Sequence, residues 1–194
     1  MRKATVSRQT SETSIDLDFT IDGDGTSSIK TGIGFFDHML TLMTKHGLFN
    51  LEVNCDGDLE VDQHHSVEDI GIALGQAFHK ALGDKKGITR YATVTTPMDE
   101  ALSTVSLDIS GRPYFVYHME GLKDKVGNFD TELVEEFFQA FVSNAKVTLH
   151  INLAYGKNTH HMIESIFKGF GRALDQATQK NPRIKGVPST KGSL

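Results

Sequence analysis

The 194-residue sequence has one cysteine, no tryptophan and four prolines. A single thiol, Cys55, cannot form a disulfide within the chain, so we expect a protein of a reducing compartment, the cytoplasm. No run of about 18 apolar residues is present, and the first ten residues lack the apolar segment of a signal peptide. The sequence therefore predicts neither a membrane-spanning nor a secreted protein.

The chain also lacks an excess of positive charge, with 20 basic residues against 25 acidic ones. The resulting net charge of −5 argues against general binding to nucleic acid or to a membrane surface, because both favour a basic face. Individual basic residues remain available to hold a phosphate group. The hydrophobic fraction of 38% is that of an ordinary globular protein.

Strands and helices alternate along the chain, and no linker divides it. Alternation of apolar and polar residues predicts strands at 13–21, 48–53, 91–98, 103–109, 114–118 and 147–153. Helical periodicity predicts four helices, at 35–46, 64–82, 131–144 and 159–178. Asp130 is a candidate N-cap of the third helix.

The sequence repeats itself at an offset of 96 residues. The segment His64-His65-Ser66-Val67-Glu68 resembles His160-His161-Met162-Ile163-Glu164, and Gly75 then matches Gly171 at the same offset. Upstream, His38 matches Glu136 at an offset of 98. We interpret this as a duplicated unit, with residues 1–90 and 91–194 as the two halves of one compact catalytic domain.

Each HHxxE segment places two imidazoles and a carboxylate on one helix. Glu68 follows His64 by four residues and His65 by three, so both histidines neighbour it on the helix surface. Successive helical residues rotate by about 100°, so the two imidazoles serve two different metals more easily than one. Nitrogen and oxygen ligands without a thiolate favour manganese, iron or zinc in a catalytic site. One such motif is more often structural, whereas two copies in a repeat predict two metal sites.

Other polar residues are weaker candidates. His79, His118 and His150 have no acidic partner in their motifs, and we expect them to serve structure. His46 ends a predicted helix and either caps it or reaches the site. The segment Ser189-Thr190-Lys191-Gly192 has hydroxyls, a lysine and a glycine that suit phosphate, although a disordered tail is the simpler interpretation. Lys168 follows Glu164 by four residues, so a plain ion pair is the alternative to a role near the metals.

Many short motifs occur in order over nearly the whole chain. They are Arg8-x-Thr10-x-Glu12-Thr13, Gly34-Phe35-Phe36-Asp37-His38-Met39-Leu40, Asp62-x-His64-His65-x-x-Glu68-Asp69, Asp99-Glu100-Ala101, Ser106-Leu107-Asp108-x-Ser110-Gly111-Arg112-Pro113, Asn158-x-His160-His161-x-x-Glu164 and Ser189-x-Lys191-Gly192. Together they resemble the imidazoleglycerol-phosphate dehydratase family.

The resemblance implies an α/β (α+β) fold of the ribosomal protein S5 domain 2-like type. Each half is then a four-stranded sheet packed on two helices. It also implies a homo-oligomer of about 24 subunits with two Mn²⁺ ions per active site at subunit interfaces. The implied substrate is D-erythro-1-(imidazol-4-yl)glycerol 3-phosphate, and the implied product is 3-(imidazol-4-yl)-2-oxopropyl phosphate, made in histidine biosynthesis.

The resemblance also assigns residues. The implied metal ligands are His38, His64, His65, Glu68, Glu136, His160, His161 and Glu164. Many relatives have histidine where this chain has Glu136. The implied catalytic residues are Glu12, Glu164 and His38, with Glu12 as the acid–base group. The implied substrate contacts are Glu12, His46, Arg90, Arg112, Lys168, Ser189 and Lys191.

The proton to be removed lies on a carbon without a neighbouring carbonyl, so the reaction must draw on the substrate's own ring. Metal binding favours the imidazolate form, which expels the adjacent hydroxyl to give a diazafulvene, and Glu12 then removes the neighbouring proton. Asp99 is a lesser candidate for proton transfer. Two alternatives share the ligands: a two-metal hydrolase, in which a bridging hydroxide attacks, and a metal-storage shell protein. The latter gives no role to the phosphate-binding candidates.

Overall fold

The computed structural model describes residues 1–194, and apart from one short ribbon in the second half the two halves of the chain have the same order of strands and helices. The first half contains β1 (Lys3–Gln9), β2 (Thr13–Thr20), β3 (Ser27–Lys30), α1 (Gly34–Gly47), β4 (Asn50–Gly57) and α2 (His64–Leu82). The second half contains β5 (Tyr91–Met98), β6 (Ala101–Asp108), β7 (Tyr114–His118), β8 (Lys125–Val126), β9 (Phe129–Asp130), α3 (Leu133–Ala145), β10 (Thr148–Tyr155) and α4 (Thr159–Thr178).

The sheet topology confirms the duplicated α+β fold. The first sheet has the order β1-β2-β4-β3 and the second has the equivalent order β5-β6-β10-β7. In both sheets the first three strands are antiparallel and the last strand, β3 or β7, runs parallel to its neighbour. The short ribbon of β8 and β9 has no counterpart in the first half. Strand β5 begins at Tyr91, where the second half was expected to start.

Each sheet buries one face, as the residue pattern of β2 illustrates. Ile15, Leu17 and Phe19 point into the core, while Asp16 and Asp18 between them are exposed. Such alternation is expected of antiparallel strands with one face in water. Helix α2 covers the first sheet and α4 covers the second.

The helices pair across the two halves, α1 with α4 and α2 with α3. A single hydrophobic cluster runs through both halves, so they share one core. At the helix crossings a glycine allows close approach of the backbones: a Cβ on Gly75 would lie 2.6 Å from the Phe141 carbonyl oxygen, and one on Gly171 would overlap the Met43 carbonyl oxygen. Phe141 and Met43 are 98 residues apart, the same offset that relates Glu136 to His38.

The sequence-based expectations differ from the structure at several points. Strands β1 and β3 were not expected, because each carries few inward apolar residues and lies at a sheet edge. Leu48, expected to start a strand, is instead the left-handed C-cap residue of α1. The expected N-cap role of Asp130 is wrong: α3 begins at Leu133, and Asp130 lies in β9, where it pairs with Lys125 at 2.8 Å.

None of the helices combines the length and the apolar composition that a membrane crossing requires.

Candidate metal centre

Three of the expected ligands converge where α1 crosses α4. The ligand atoms of His38, His160 and Glu164 all lie within 4.8 Å of one another. His160 Nε2 is 3.1 Å from Glu164 Oε2, and His38 Nε2 is 3.8 Å from the same oxygen. His160 and Glu164 share one face of α4 because they are four residues apart. Two imidazole nitrogens and one carboxylate oxygen are a donor set that suits a divalent transition metal.

Lys168 adjoins this cluster one turn further along α4. Its Nζ lies 2.6 Å from Glu164 Oε1, which leaves the other carboxylate oxygen facing the histidines. Burial raises the pKa of Glu164, but the hydrogen bond and charge of Lys168, with His160 and His38, outweigh burial and hold the pKa below its usual range. Glu164 is therefore kept in the ionised form that metal binding requires.

A second pair occupies the equivalent place on α2. His64 Nε2 lies 3.3 Å from Glu68 Oε2, and both side chains are about half exposed. Glu136 lies on α3, the helix that crosses α2, at the position that corresponds to His38 on α1. It is half-buried and forms no salt bridge within the chain, whereas its neighbour Glu135 is exposed.

The second histidine of each motif points away from the first. The ring centroids of His64 and His65 are 6.2 Å apart with planes at 86°, and those of His160 and His161 are 6.3 Å apart at 75°. Glu68 pairs with His64, whereas His65 pairs with acids from other segments.

Other acids surround the divergent histidines. His65 Nδ1 lies 2.9 Å from Asp58 Oδ2, and its Nε2 lies 3.6 Å from Glu12 Oε1. His161 Nδ1 lies 2.8 Å from Glu100 Oε2, and its Nε2 lies 3.9 Å from Asp99 Oδ2. These carboxylates raise the pKa of both imidazoles.

Capping side chains fix the start of each histidine motif. The Asn158 side-chain oxygen accepts hydrogen bonds from the backbone N–H groups of His160 and His161, at 2.9 and 3.4 Å. Asp62, its counterpart at an offset of 96, accepts from the His64 N–H at 2.7 Å. These contacts explain why an Asn or Asp stands two residues before each histidine pair.

Sequence reasoning missed the roles of Asp58 and Glu100 beside the histidines. Glu100 also accepts backbone hydrogen bonds from Lys157 and Asn158. The His161 hydrogen bond, followed by these backbone donors, lowers the pKa of Glu100 to about 2. The repeat carried a signal for Glu100, because Glu12 and Glu100 each directly precede the second strand of their half. Asp58, in the loop after β4, carried none.

The phosphate-binding candidates of the C-terminal segment lie together. Arg90 Nη1 donates to the Pro188 carbonyl oxygen at 2.9 Å, and Gly111, beside Arg112, packs against Leu194. Arg90 is also paired with Asp108, at 2.8 Å from Nε and 3.2 Å from Nη2, and its side chain is only 12% exposed. Arg90 therefore anchors the tail, whereas Arg112 and Lys191 are exposed.

This tail cluster lies far from the histidines of the same chain. Arg90 precedes β5, and the acids beside His161 follow that strand at its opposite end. The eight residues of β5 span roughly 23 Å at about 3.3 Å per residue. His46 and Lys168, by contrast, lie on the same side as the cluster of His38, His160 and Glu164. Lys168 pairs with Glu164. Burial, and then the nearby charges of Lys168 and Arg172, lower the pKa of His46.

Comparison with known proteins gives one consistent result. A family model described as imidazoleglycerol-phosphate dehydratase matches residues 31–174. The chain is 69% identical to the imidazoleglycerol-phosphate dehydratase of Oceanobacillus iheyensis over 194 residues, covering 100% of both chains. It is 61% identical to that of Acetivibrio thermocellus over 193 residues, covering 100% of this chain and 99% of the relative. The crystal structure of the Staphylococcus aureus dehydratase is similar with a TM-score of 0.84 and 46% identity, covering 92% of this chain and 99% of that one.

Proposed function

The chain belongs to the imidazoleglycerol-phosphate dehydratase family, and from this premise we propose that it uses two Mn²⁺ ions, each held between copies of the chain. It is a dehydratase of histidine biosynthesis. It converts D-erythro-1-(imidazol-4-yl)glycerol 3-phosphate and removes water to give 3-(imidazol-4-yl)-2-oxopropyl phosphate. A hydrolase or a metal-storage protein would not follow from this membership.

The observation that carries the two-metal proposal is the cluster of His38, His160 and Glu164. From the duplication we propose a second set of three, His64, Glu68 and Glu136, of which His64 and Glu68 lie 3.3 Å apart. Each set offers three nitrogen or oxygen donors, fewer than the six that manganese commonly takes from carboxylate, imidazole and water ligands. His65 and His161 point away from both sets and are available to a second copy. Three ligands from one chain and one from another would give four protein donors at each site, and water or substrate would take the remaining positions.

The distance between the tail cluster and the histidines supports assembly as well. The substrate has only a three-carbon chain between its imidazole ring and its phosphate, so it cannot bridge the roughly 23 Å length of β5. The phosphate contacts of one chain would therefore serve the metal centre of another. We propose that Arg112, Ser189 and Lys191 hold the phosphate, and that Arg90 fixes the tail that presents them. This arrangement fits a closed homo-oligomer of about 24 subunits in the cytoplasm.

The bound manganese would supply Lewis acidity toward the nitrogens of the substrate ring and so favour the ring's deprotonated form. We propose Glu12 as the group that transfers the proton. It lies at the turn between β1 and β2, half exposed, with its carboxylate 3.6 Å from His65 Nε2. Its ionised form accepts the proton from the carbon next to the one that loses hydroxide, and the enol so formed becomes the ketone. Glu164 and His38 contribute by holding metal, and Lys168 keeps Glu164 ionised. Asp99, at the equivalent turn of the second half, is the lesser candidate.

Removal of divalent metal is the direct test of the proposed function. Assembled protein that has been stripped of metal by chelation and dialysed should not convert imidazoleglycerol phosphate to the ketone. Without the metal ions, only weak hydrogen-bond donors would be left to polarise the substrate ring. Addition of Mn²⁺ should restore ketone formation, measured as product per chain. Full activity in protein shown to be metal-free by elemental analysis would refute the metal-dependent mechanism.

Glu12→Gln should lower kcat by about 10²–10⁴-fold, because general acid–base groups contribute rate enhancements of that size. Manganese content and assembly should stay unchanged, since Glu12 is outside both sets of three ligands. Glu52→Gln, on the exposed face of β4, is the matched control. A Glu12→Gln enzyme with a near-wild-type kcat would show that another group moves the proton.

Glu136→Ala should leave one tightly bound manganese per chain in place of two, because the set on α2 and α3 would lose a charged donor. Glu136→His should retain both ions, since histidine would restore a nitrogen ligand like His38. The measurement is metal stoichiometry by elemental analysis on protein of confirmed assembled size. Glu135→Ala is the control, because Glu135 is exposed on the same turn. Two tightly held ions in Glu136→Ala would contradict the assignment.

A further inference from the structure

His65 and His161 differ from the other proposed ligands in having a carboxylate at Nδ1. Asp58 Oδ2 lies 2.9 Å from His65 Nδ1, and Glu100 Oε2 lies 2.8 Å from His161 Nδ1. The Nε2 atoms of His38, His64 and His160 instead face Glu164 or Glu68. We propose that Asp58 and Glu100 are positioning residues that fix the ring orientation and tautomer of His65 and His161, so that each presents Nε2 to a metal. This inference rests on the proposed function, in which both imidazoles bind manganese.

The physical reason is the single N–H of a neutral imidazole. A carboxylate accepts a hydrogen bond but donates none, so at these distances it holds the proton on Nδ1. The lone pair is then on Nε2, the atom that must approach the metal. The same hydrogen bond restricts rotation of the ring. Carboxylates in this position behind metal-binding histidines typically change metal affinity by about 10–100-fold.

The Nε2 atoms of His65 and His161 each lie beside an acid of a turn between two strands. His65 Nε2 faces the turn between β1 and β2, and His161 Nε2 faces the turn between β5 and β6. Both side chains are partly exposed, at 31% and 27%. Each ring is therefore held at Nδ1 by one carboxylate, while its Nε2 lies on the side of an exposed acid, Glu12 or Asp99.

The two halves reach this arrangement with carboxylates that are not related by the duplication. Glu100 directly precedes β6, so its counterpart in the first half is Glu12, which directly precedes β2. Glu12, however, lies on the Nε2 side of His65, and Asp58, from the loop after β4, occupies the Nδ1 side. Glu12 is thereby left free for proton transfer. The Asp58 N–H also donates to the Glu12 carbonyl oxygen at 3.1 Å. Asp58 therefore orients His65 and also fixes the turn that contains Glu12.

Substitution of the two carboxylates tests the proposal. Asp58→Ala and Glu100→Ala should each weaken manganese binding at one of the two sites by about 10–100-fold, measured by titration of assembled, metal-free protein with Mn²⁺ and detection of free ion by electron paramagnetic resonance. Asp58→Glu should recover part of the loss, because it restores an acceptor. Asp56→Asn and Glu120→Gln, which alter exposed acids, are the controls and should bind as wild type does. Affinities within twofold of wild type in both alanine variants would overturn the proposal.

A second readout separates positioning from a general loss of structure. In metal-free protein with ¹⁵N-labelled histidine, solid-state NMR at alkaline pH should show the Nδ1–H tautomer for His65 and His161. Asp58→Ala should lose this signal for His65, and Glu100→Ala should lose it for His161. Unchanged tautomers in both variants would overturn the proposal even if affinity fell. If wild-type protein bound no manganese, the metal-dependent function would fail, while the tautomer measurement would still decide whether these carboxylates set the histidine protonation.

Discussion

The close crossing of helices from opposite halves determines where the proposed metal ligands lie. Gly171 allows α4 to meet the backbone of α1 at Met43, and Gly75 allows α2 to meet α3 at Phe141. His38 lies little more than one turn before Met43, and Glu164 lies two turns before Gly171, so this contact brings both to the same end of the helix pair. A side chain at either glycine would separate the backbones and with them the ligands. The duplicated fold therefore makes one type of crossing twice, and each crossing carries one of the two proposed ligand sets.

The two proposed sets lie at equivalent helix positions and differ in charge. On α4 the Lys168 ammonium neutralises much of the charge of Glu164, and the crossing helix provides a neutral imidazole, His38. On α2 the residue equivalent to Lys168 is Ile72, and the crossing helix provides Glu136. The α2 and α3 set thus carries two carboxylates without a cation beside them. More negative charge strengthens attraction for a divalent cation and reduces the Lewis acidity of the bound ion, so the two metals of this enzyme would not be equivalent.

Much of this architecture could be predicted from the sequence, because the duplication is visible there as a repeated histidine motif. Helices α2 and α4 were expected at 64–82 and 159–178, the limits that the structure has, since a long apolar stripe and a histidine motif mark each one. Strands β1 and β3 were not predicted, because edge strands bury too few side chains to show the alternation of apolar and polar residues. The role of Asp58 depends on how a loop folds back over His65, which no local pattern encodes. The sequence predicted β5 at 91–98 but not that Asp99, after its far end, would lie beside His161, and this contact is what separates Arg90 from the histidines.

In the proposed function, the metal ligands of one chain work with the phosphate contacts of another, and the whole mechanism depends on this sharing. It can be tested by co-expressing His38→Ala with a chain that ends after Pro188, each with its own affinity tag, and purifying assemblies that contain both. The mixed assemblies should form the ketone at a substrate concentration at which neither parent does. Some of their sites would combine the intact ligand set of the truncated chain with the intact tail of the His38→Ala chain. Mixed assemblies no more active than their parents would contradict it, since every site would then draw its ligands and its phosphate contacts from the same chain.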